Sequence, residues 1–215
     1  MKLIDMTVID FVNEVDSSSP APGGGSVAAL ASCIGVGLAR MMAHLTFGKK
    51  KYEALDDVAK NEFKETFHKL EEIRAELDKL VDKDTESFNA YMKAIKMPKD
   101  TFKEKIMRKE ALTKATIFSI DVPFKTATLS FDALKQLDTL IENGNQNAIT
   151  DLGVGVLMLY TGLEGAILNV KVNLAGIDDN KELHEKYSAD CESMLSQGKE
   201  IRDRLLVKVH GKIVE

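Results

Sequence analysis

The sequence contains few of the residues that interrupt or cross-link a chain. Its 215 residues include four prolines, two cysteines and no tryptophan. The cysteines, Cys33 and Cys191, are too few for a disulfide-stapled scaffold and form no metal-ligand spacing, which favours a reducing compartment. Because proline ends or kinks helices, its scarcity predicts long, uninterrupted ones.

The chain also lacks a basic excess and a long apolar segment. Lys and Arg total 29 against 34 Asp and Glu, and the resulting net charge of −5 argues against nucleic acid as a partner. The longest uncharged run near the N-terminus, Val27–Ala39, has 13 residues, whereas a bilayer span needs ~20. Apolar residues make up 44% of the chain, enough for a sizeable core. We therefore expect a cytoplasmic globular protein without a membrane segment.

Strand signals are nearly absent, whereas helical periodicity runs through most of the chain. No alternating apolar segment is bounded by turn residues. We predict helices over residues 7–15, 26–47, 52–97, 101–142, 148–174 and 179–207, a kink at Pro123 and a turn over residues 143–147. The expected fold is all-α: a single-domain bundle of about six helices, several of them long, with no significant sheet, over residues 1–215.

Asp84 lies in the middle of an otherwise apolar helical stripe. The stripe consists of Leu70, Ile73, Leu77, Leu80, Val81, Phe88, Tyr91 and Ile95. A carboxylate among core residues costs free energy unless it is paired, hydrogen-bonded or neutralised. Such a group serves either as an ion pair that fixes the register of the helices or in chemistry, and the stripe can also open there into a solvated cleft.

A glycine-rich segment leads directly into a predicted helix. Gly23, Gly24, Gly25 and Ser26 follow Pro22. Free N–H groups at a helix start can hold an anion or a polar ring, and the alternative is a tight turn before a closely packed helix. The segment is neither a Walker loop nor a dinucleotide fingerprint, because no Gly-Lys-Ser/Thr follows it and no strand precedes it.

Polar residues also occur at helical spacing further along the chain. Asn147 and Asp151 share a face at the start of the most apolar helix, where an acid also complements the helix dipole. Asn169 and Asn173 share a face near its end, and buried amides of this kind often join helices. The four histidines are scattered without metal spacing, and Lys49–Lys51 is typical of a solvated charge run or a site for a polyanionic tail.

Together these segments resemble the cyclodeaminase/cyclohydrolase family of folate enzymes. The resemblance covers most of the chain and is carried, in order, by residues 20–26 (PAPGGGS), 45–52 (LTFGKKKY), 84–88 (DTESF), 144–151 (GNQNAITD) and 169–174 (NVKVNL). It implies an all-helical homodimer that binds a tetrahydrofolate derivative, with or without a polyglutamyl tail, in a cleft between helices.

The resemblance also assigns roles to residues. It implies that Asp84 is catalytic and that Gly23, Gly24, Gly25, Ser26, Phe88, Asn147 and Asp151 bind the substrate. It implies no metal site and no cofactor beyond the tetrahydrofolate substrate. A single carboxylate suits this chemistry, because it stabilises a cationic amidine and can accept and return a proton.

Three functions follow as expectations. The first is a formiminotetrahydrofolate cyclodeaminase, which closes the ring to 5,10-methenyltetrahydrofolate and releases ammonia. The second is a methenyltetrahydrofolate cyclohydrolase, which gives 10-formyltetrahydrofolate. The third is a non-catalytic helical scaffold or folate-binding protein, in which Asp84 is a buried ion-paired residue.

Overall fold

The fold of the protein is built from α-helices. The computed structural model describes residues 2–177 and 180–214, and no β-strand occurs among them. The helices are α1 (Val8–Val15), α2 (Gly24–His44), α3 (Lys50–Glu53), α4 (Asp57–Ile95), α5 (Phe102–Lys135), α6 (Leu137–Asn143), α7 (Ile149–Leu174) and α8 (Lys181–Val214). The predicted all-α class is confirmed, although two of the predicted helices are divided.

The two most apolar helices, α2 and α7, lie side by side at the centre of the bundle. Helix α7 also packs on α5 and α8, while α4 packs on α2 and α5. The backbones of α2 and α7 approach closely where Gly35 faces Gly155, since a Cβ at Gly35 would lie 2.8 Å from the Gly155 carbonyl oxygen. By length and composition both helices are apolar enough to cross a membrane, but 61% and 50% of their most apolar windows are buried within the bundle.

Helix α4 begins five residues later than predicted. Asp56 caps it by accepting a hydrogen bond from the Ala59 N–H at 2.8 Å, while Tyr52 belongs to the separate short helix α3. The first part of the predicted stripe is buried, namely Leu70, Ile73, Leu77, Leu80 and Val81. After Val81 the stripe opens, and Phe88 and Tyr91 line a cleft between helices.

The segment predicted as one helix over residues 101–142 forms two. Thr101 and Glu104 form a capping box at the start of α5, and Pro123 lies inside this helix without ending it. The break occurs instead at Gln136, after which α6 runs to Asn143 and ends at Gly144. The predicted turn over residues 143–147 is confirmed, because α6 ends at its start and a short 3₁₀ turn follows at Gln146–Ala148.

The final helix extends further than its sequence pattern indicates. We predicted residues 179–207, whereas α8 runs from Lys181 to Val214, and position 179 lies outside the described residues. Its later turns are fixed to α6, because Arg204 and Lys208 both donate to the Asp138 carboxylate. These charge-assisted hydrogen bonds and the buried side chains of Leu205 and Val209 keep this part of the helix docked on the bundle.

Candidate active site

Asp84 opens onto a cleft at one end of the bundle. The cleft has a volume of about 460 Å³ and is bounded by the loop before α2 and by α4, α5 and the end of α7. Its lining comprises Pro20, Ala21, Gly23, Gly24, Asp84, Ser87, Phe88, Tyr91, Thr116, Ser119, Asn169, Val172, Asn173, Ala175 and Gly176. Two predicted glycines, Asp84 and Phe88 therefore lie together in one cavity.

The Asp84 carboxylate sits at the N-terminus of α2. Its Oδ2 accepts a hydrogen bond from the Ser26 N–H at 2.9 Å. The Ser26 hydroxyl donates to the Val81 carbonyl at 2.8 Å and lies 3.3 Å from the same Oδ2. The positive end of the helix dipole and these donors favour the ionised form. Burial nevertheless raises the pKa of Asp84 above its ordinary value, and the two Ser26 hydrogen bonds oppose that rise.

No cation among the described residues neutralises Asp84. Across residues 2–177 and 180–214, no Lys, Arg or His side chain forms an ion pair with it. An ion pair that fixes helix register is therefore not the role of Asp84 in this chain. A half-buried, unpaired carboxylate with a raised pKa, facing a cavity, is the arrangement typical of a group kept for chemistry.

Gly25 makes the approach of Asp84 to α2 possible. A Cβ placed at Gly25 would overlap the Asp84 carboxyl group, whose Oδ2 would lie 2.6 Å away. Only a residue without a side chain leaves room for the carboxylate to reach the Ser26 N–H. The structure thus gives Gly25 the role of making space for the carboxylate, while Gly23 and Gly24 face the cleft itself.

The wall opposite Gly23 and Gly24 contains residues that the sequence did not mark as ligand-binding. Thr116 and Ser119 of α5 line the cleft, and Asn173 donates its side-chain N–H to the Ser119 carbonyl at 2.6 Å. Pro123 lacks the N–H that this carbonyl would receive in a regular helix, so Asn173 replaces the missing donor. A proline four residues after Ser119 is the sequence signal that could have identified this wall.

The two asparagines at the end of α7 both line the cleft. The interpretation that they join helices is confirmed for Asn173, whereas Asn169 bonds within its own helix, to the Gly165 carbonyl at 2.9 Å. The Asn169 amide also lies beside Gly24. Amide groups on α7 and the aromatic rings of Phe88 and Tyr91 therefore line the same cleft.

Asn147 and Asp151 do not join this cleft within one chain. The expected closeness of Asp151 to Asp84 is wrong for a single copy, because Asn147 and Asp151 lie at the start of α7, at one end of the bundle, and Asn173 lies at its other end. Roughly 20 residues of α2 separate Ser26 from Thr46, which places the two ends ~30 Å apart. Asn145 holds the Asn147 end in place by donating its N–H to the Thr46 hydroxyl at 2.8 Å.

The second end of the bundle contains its own polar pocket. This far-end pocket has a volume of about 310 Å³ and is lined by Thr46, Lys49, Lys51, Tyr52, Asn143, Gly144, Asn145, Gln146 and Asn147. The buried Tyr52 hydroxyl and the Gln146 Oε1 have no hydrogen-bond partner among the described residues. Buried polar atoms are usually paired, so these two atoms are open to a water molecule or another polar group in the pocket.

The histidines and cysteines are the remaining candidate residues. In the described part of the chain, no group of three His, Cys, Asp or Glu side chains is placed to hold a metal ion. Both cysteines are buried and unpaired, and burial raises the pKa of each thiol. Neither cysteine has the depressed pKa of a reactive thiolate.

The fold and the cleft define a helical protein that presents one unpaired carboxylate at a glycine-rich helix start. The family model described as formiminotransferase-cyclodeaminase matches residues 7–204. The chain belongs to this family.

Individual relatives agree with this family. The chain is 34% identical over 207 residues to a methenyltetrahydrofolate cyclohydrolase of Methylorubrum extorquens, covering 96% of this chain and 97% of that one. It is 36% identical over 197 residues to the mouse formimidoyltransferase-cyclodeaminase, covering 92% of this chain but 36% of the mouse protein. The crystal structure of formiminotetrahydrofolate cyclodeaminase from Thermotoga maritima matches with a TM-score of 0.75 and 25% identity over 97% of this chain and 96% of that one.

Proposed function

We propose that this chain is a formiminotetrahydrofolate cyclodeaminase, with Asp84 as the catalytic residue. The observation that carries the proposal is the unpaired Asp84 carboxylate, held by Ser26 at the edge of a cleft with aromatic and amide walls. Relatives with this fold include a cyclodeaminase structure and curated enzymes of folate one-carbon chemistry. Both of these observations support a reaction at the N5 and N10 atoms of tetrahydrofolate.

The Asp84 carboxylate suits each step of ring closure. N10 attacks the carbon of the protonated formimino group on N5, the C–N10 bond forms, and the N10 proton must leave before the bond from this carbon to the amino group breaks. A carboxylate with a raised pKa accepts this proton and returns it to the amino group that departs as ammonia. The product amidinium is cationic, and the same anion stabilises it. Protons balance without an oxidant or a metal, so the proposal includes no cofactor beyond the folate substrate.

The cleft residues position the substrate in this proposal. Phe88 and Tyr91 supply flat apolar surface for a ring, and the amides of Asn169 and Asn173 supply hydrogen bonds. The backbone around Gly23 and Gly24 lets a ligand approach closely, because no side chain covers it. Ser26 contributes to substrate binding indirectly, because its N–H holds the Asp84 carboxylate in its orientation.

Methenyltetrahydrofolate cyclohydrolase is the second candidate. It is favoured by the end-to-end match to a relative of that name, whereas the chain spans about a third of the formimidoyltransferase-cyclodeaminases. In this reaction water attacks the methenyl carbon and Asp84 takes one proton from it. The C–N5 bond then breaks, N5 takes up a proton, the water oxygen becomes the formyl oxygen on N10, and one proton is released to solvent. The same carboxylate therefore serves both reactions, and the substrate that is turned over distinguishes them.

The assembly and the compartment are further parts of the proposal. We propose a homodimer, supported by an exposed apolar face on α2 and α7. We also propose a cytoplasmic location, supported by two buried, unpaired cysteines. A polyglutamyl tail on the substrate is compatible with the exposed lysines 49–51.

The function is tested by near-ultraviolet absorbance with two substrates in parallel. Formation of methenyltetrahydrofolate and ammonia from formiminotetrahydrofolate supports the cyclodeaminase, and accelerated hydrolysis of methenyltetrahydrofolate alone supports the cyclohydrolase. Folate binding without turnover would identify a non-catalytic binding protein. The absence of both turnover and folate binding would refute the folate assignment.

Asp84→Asn tests the catalytic residue. We expect kcat to fall by about 10²–10⁴, because proton transfer by a positioned group contributes that much. The free energy of unfolding should stay equal or rise, because the substitution removes a desolvated charge. The matched control is Glu86→Gln, which neutralises an exposed carboxylate on the same helix and should leave turnover unchanged. Full activity of Asp84→Asn would refute the assignment.

A further inference from the structure

The two asparagines of the Asp84 cleft use their amide N–H groups on backbone carbonyls. Asn169 donates to the Gly165 carbonyl at 2.9 Å, and Asn173 donates to the Ser119 carbonyl at 2.6 Å. A backbone carbonyl only accepts hydrogen bonds, so the nitrogen of each amide is the atom that faces it. None of the residues that the structure describes donates to either Oδ1 atom. Each asparagine therefore offers the cleft a free carbonyl oxygen.

Two serines in the same lining are arranged in the same way. The Ser87 hydroxyl donates to the Asp84 carbonyl and the Ser119 hydroxyl to the Thr116 carbonyl, each at 2.8 Å. A hydroxyl carries one hydrogen, so each oxygen is left with its lone pairs alone. Together with the asparagine oxygens and the Asp84 carboxylate, these groups make the cleft rich in hydrogen-bond acceptors. A ligand that matches this wall presents N–H donors.

The spacing of the two asparagines suits a single amino group. Asn169 and Asn173 are four residues apart on α7, so their Cβ atoms lie about 5–6 Å apart. Two acceptors that each receive one N–H of the same amino group at ~2.9 Å lie roughly 5 Å apart. An amino group on an aromatic ring directs both of its hydrogens in the plane of the ring. One such group can therefore satisfy both amide oxygens.

Tetrahydrofolate carries an amino group of this kind on its pterin ring. The 2-amino group lies on the edge of the bicycle opposite N5, so a pterin held by it leaves N5 free to lie beside Asp84. We propose that the Oδ1 atoms of Asn169 and Asn173 accept the two hydrogens of the 2-amino group, which makes the cleft specific for a 2-aminopterin. This inference rests on the proposed function and names the part of the substrate that α7 recognises.

The amide oxygens supply what the aromatic wall lacks. Phe88 and Tyr91 offer flat apolar surface, which holds a ring without fixing its rotation. The Asn169 amide adjoins Gly24, where a Cβ would lie 3.4 Å from the Asn169 Nδ2, so it lies on the side of the cleft where Asp84 meets α2. Two directed hydrogen bonds on one edge fix the ring within its plane, and the position of N5 is fixed with it.

A ligand without the amino group tests the inference independently of turnover. Tetrahydrofolate carries no one-carbon unit, so it binds without reacting. Its analogue with a methyl group in place of the 2-amino group keeps the shape of the ring. We expect the wild-type protein to bind the analogue about 10–100-fold more weakly, because two acceptors lose their donors. Isothermal titration calorimetry measures both dissociation constants.

Asn169→Leu removes one acceptor and should remove part of this preference. Tetrahydrofolate should bind more weakly to the variant, whereas the analogue should bind almost as well as to the wild type, so the ratio of the two dissociation constants falls about 3–10-fold. A structural effect alone would weaken both ligands alike and leave the ratio unchanged. The control is Lys171→Ala, which changes an exposed side chain between the two asparagines and should keep the wild-type ratio. The wild-type ratio in Asn169→Leu would overturn the role of Asn169.

Asn173 is tested in a chain that does not need its structural hydrogen bond. Asn173 also replaces the donor that Pro123 lacks, so Asn173→Ala is compared with its parent in a Pro123→Ala background, where the helix supplies that donor itself. The ratio of the two dissociation constants should fall here as well. A ratio equal to that of the Pro123→Ala parent would overturn the contribution of Asn173.

Steady-state turnover gives a second measurement. The 2-amino group is remote from the reacting atoms, so Asn169→Leu should raise KM more than it lowers kcat. A lower kcat at unchanged KM would place the Asn169 oxygen at the reacting carbon and contradict the inference.

Failure of this inference and failure of the proposed function give different results. Equal affinity of the wild-type protein for tetrahydrofolate and for the analogue would overturn the inference and leave the folate assignment intact. A folded wild-type protein that does not bind tetrahydrofolate would refute the folate assignment, and the inference with it.

Discussion

At the scale of single residues, Ser26 stabilises the ionised form of the Asp84 carboxylate. Its N–H donates to the carboxylate, and its hydroxyl, shared with the Val81 carbonyl, lies 3.3 Å from the same oxygen. Both contacts lower the pKa of Asp84, which burial raises. The hydroxyl can be removed while the N–H stays. Ser26 therefore offers a way to change the protonation of the catalytic group without replacing it.

Ser26→Ala should move the pH dependence of kcat. Loss of the hydroxyl removes one interaction that lowers the pKa of Asp84, so the folded-state pKa rises further. If the ionised carboxylate is the base, activity is lost as pH falls through this pKa, and the acid limb of the profile shifts to higher pH. The control is Ser87→Ala, because the Ser87 hydroxyl donates to the Asp84 carbonyl and not to the carboxylate. An unmoved acid limb in Ser26→Ala would contradict this role.

Gly25→Ala should separate the carboxylate from its helix. The added Cβ overlaps the Asp84 carboxyl group, which must move away from the Ser26 N–H. We expect kcat to fall by at least tenfold, as measured by steady-state turnover. Gly37→Ala on the same helix has 3.9 Å of space to Arg74 and should gain up to about 1 kcal/mol of stability with unchanged turnover. Equal activity in both variants would refute the steric explanation.

At the scale of helices, α5 and α7 are coupled through a missing backbone donor. Pro123 leaves the Ser119 carbonyl without its helical partner, and Asn173 of α7 supplies a side-chain N–H instead. The carbonyl that the proline leaves without a donor thereby receives its hydrogen bond from a neighbouring helix. This coupling fixes the cleft wall that α5 and α7 form together.

Asn173→Ala should therefore destabilise the fold, and the cost should depend on Pro123. We expect a loss of about 1–3 kcal/mol in the free energy of unfolding, because a half-buried carbonyl loses its donor. In a Pro123→Ala background the helix regains its own N–H, so the same Asn173 substitution should cost less. Urea unfolding of the four proteins in this double-mutant cycle measures the coupling, and additive effects would argue against it.

The sequence predicted the helices better than their ends. The division at Asp56 arises from a capping side chain, and the break at Gln136 has no proline or glycine to announce it. Asp84 was found because its charge contradicts the apolar period of its own helix. The cleft wall of Thr116 and Ser119 was missed, because it depends on which helix lies opposite, and this is set by packing over long sequence distances.

At the scale of the whole molecule, the family resemblance assigned residues from distant segments to one site, but the folded chain does not bring all of them together. Asn147 and Asp151 lie ~30 Å from Asp84 along the helix pair. Sequence spacing fixes the position of a residue along a helix, and it does not say whether a second copy returns that residue to the same site. The apolar outer face of α2 and α7 was likewise hidden within helices that looked buried all round.

Val154→Glu should weaken the association of two copies. The residue is 51% exposed on the outer apolar face of α2 and α7, so its replacement places a charge in the interface of the proposed homodimer without disturbing the core of a single chain. We expect a shift to monomer in sedimentation and loss of turnover together. The control is Val58→Glu, a 68% exposed valine on α4, which should leave both unchanged. A dimer with normal turnover in Val154→Glu would refute this interface.

The lack of tryptophan, combined with the positions of the tyrosines, makes the protein optically sensitive to its ligand. Four tyrosines supply the intrinsic emission: Tyr91 lines the Asp84 cleft and Tyr52 the far-end pocket. The other two are occupied elsewhere, since Tyr160 lies under Arg202 and Tyr187 donates to Asp121. A bound pteridine should therefore quench tyrosine fluorescence in the wild-type protein and quench it less in Tyr91→Phe, so that the enzyme reports its own occupancy without a label.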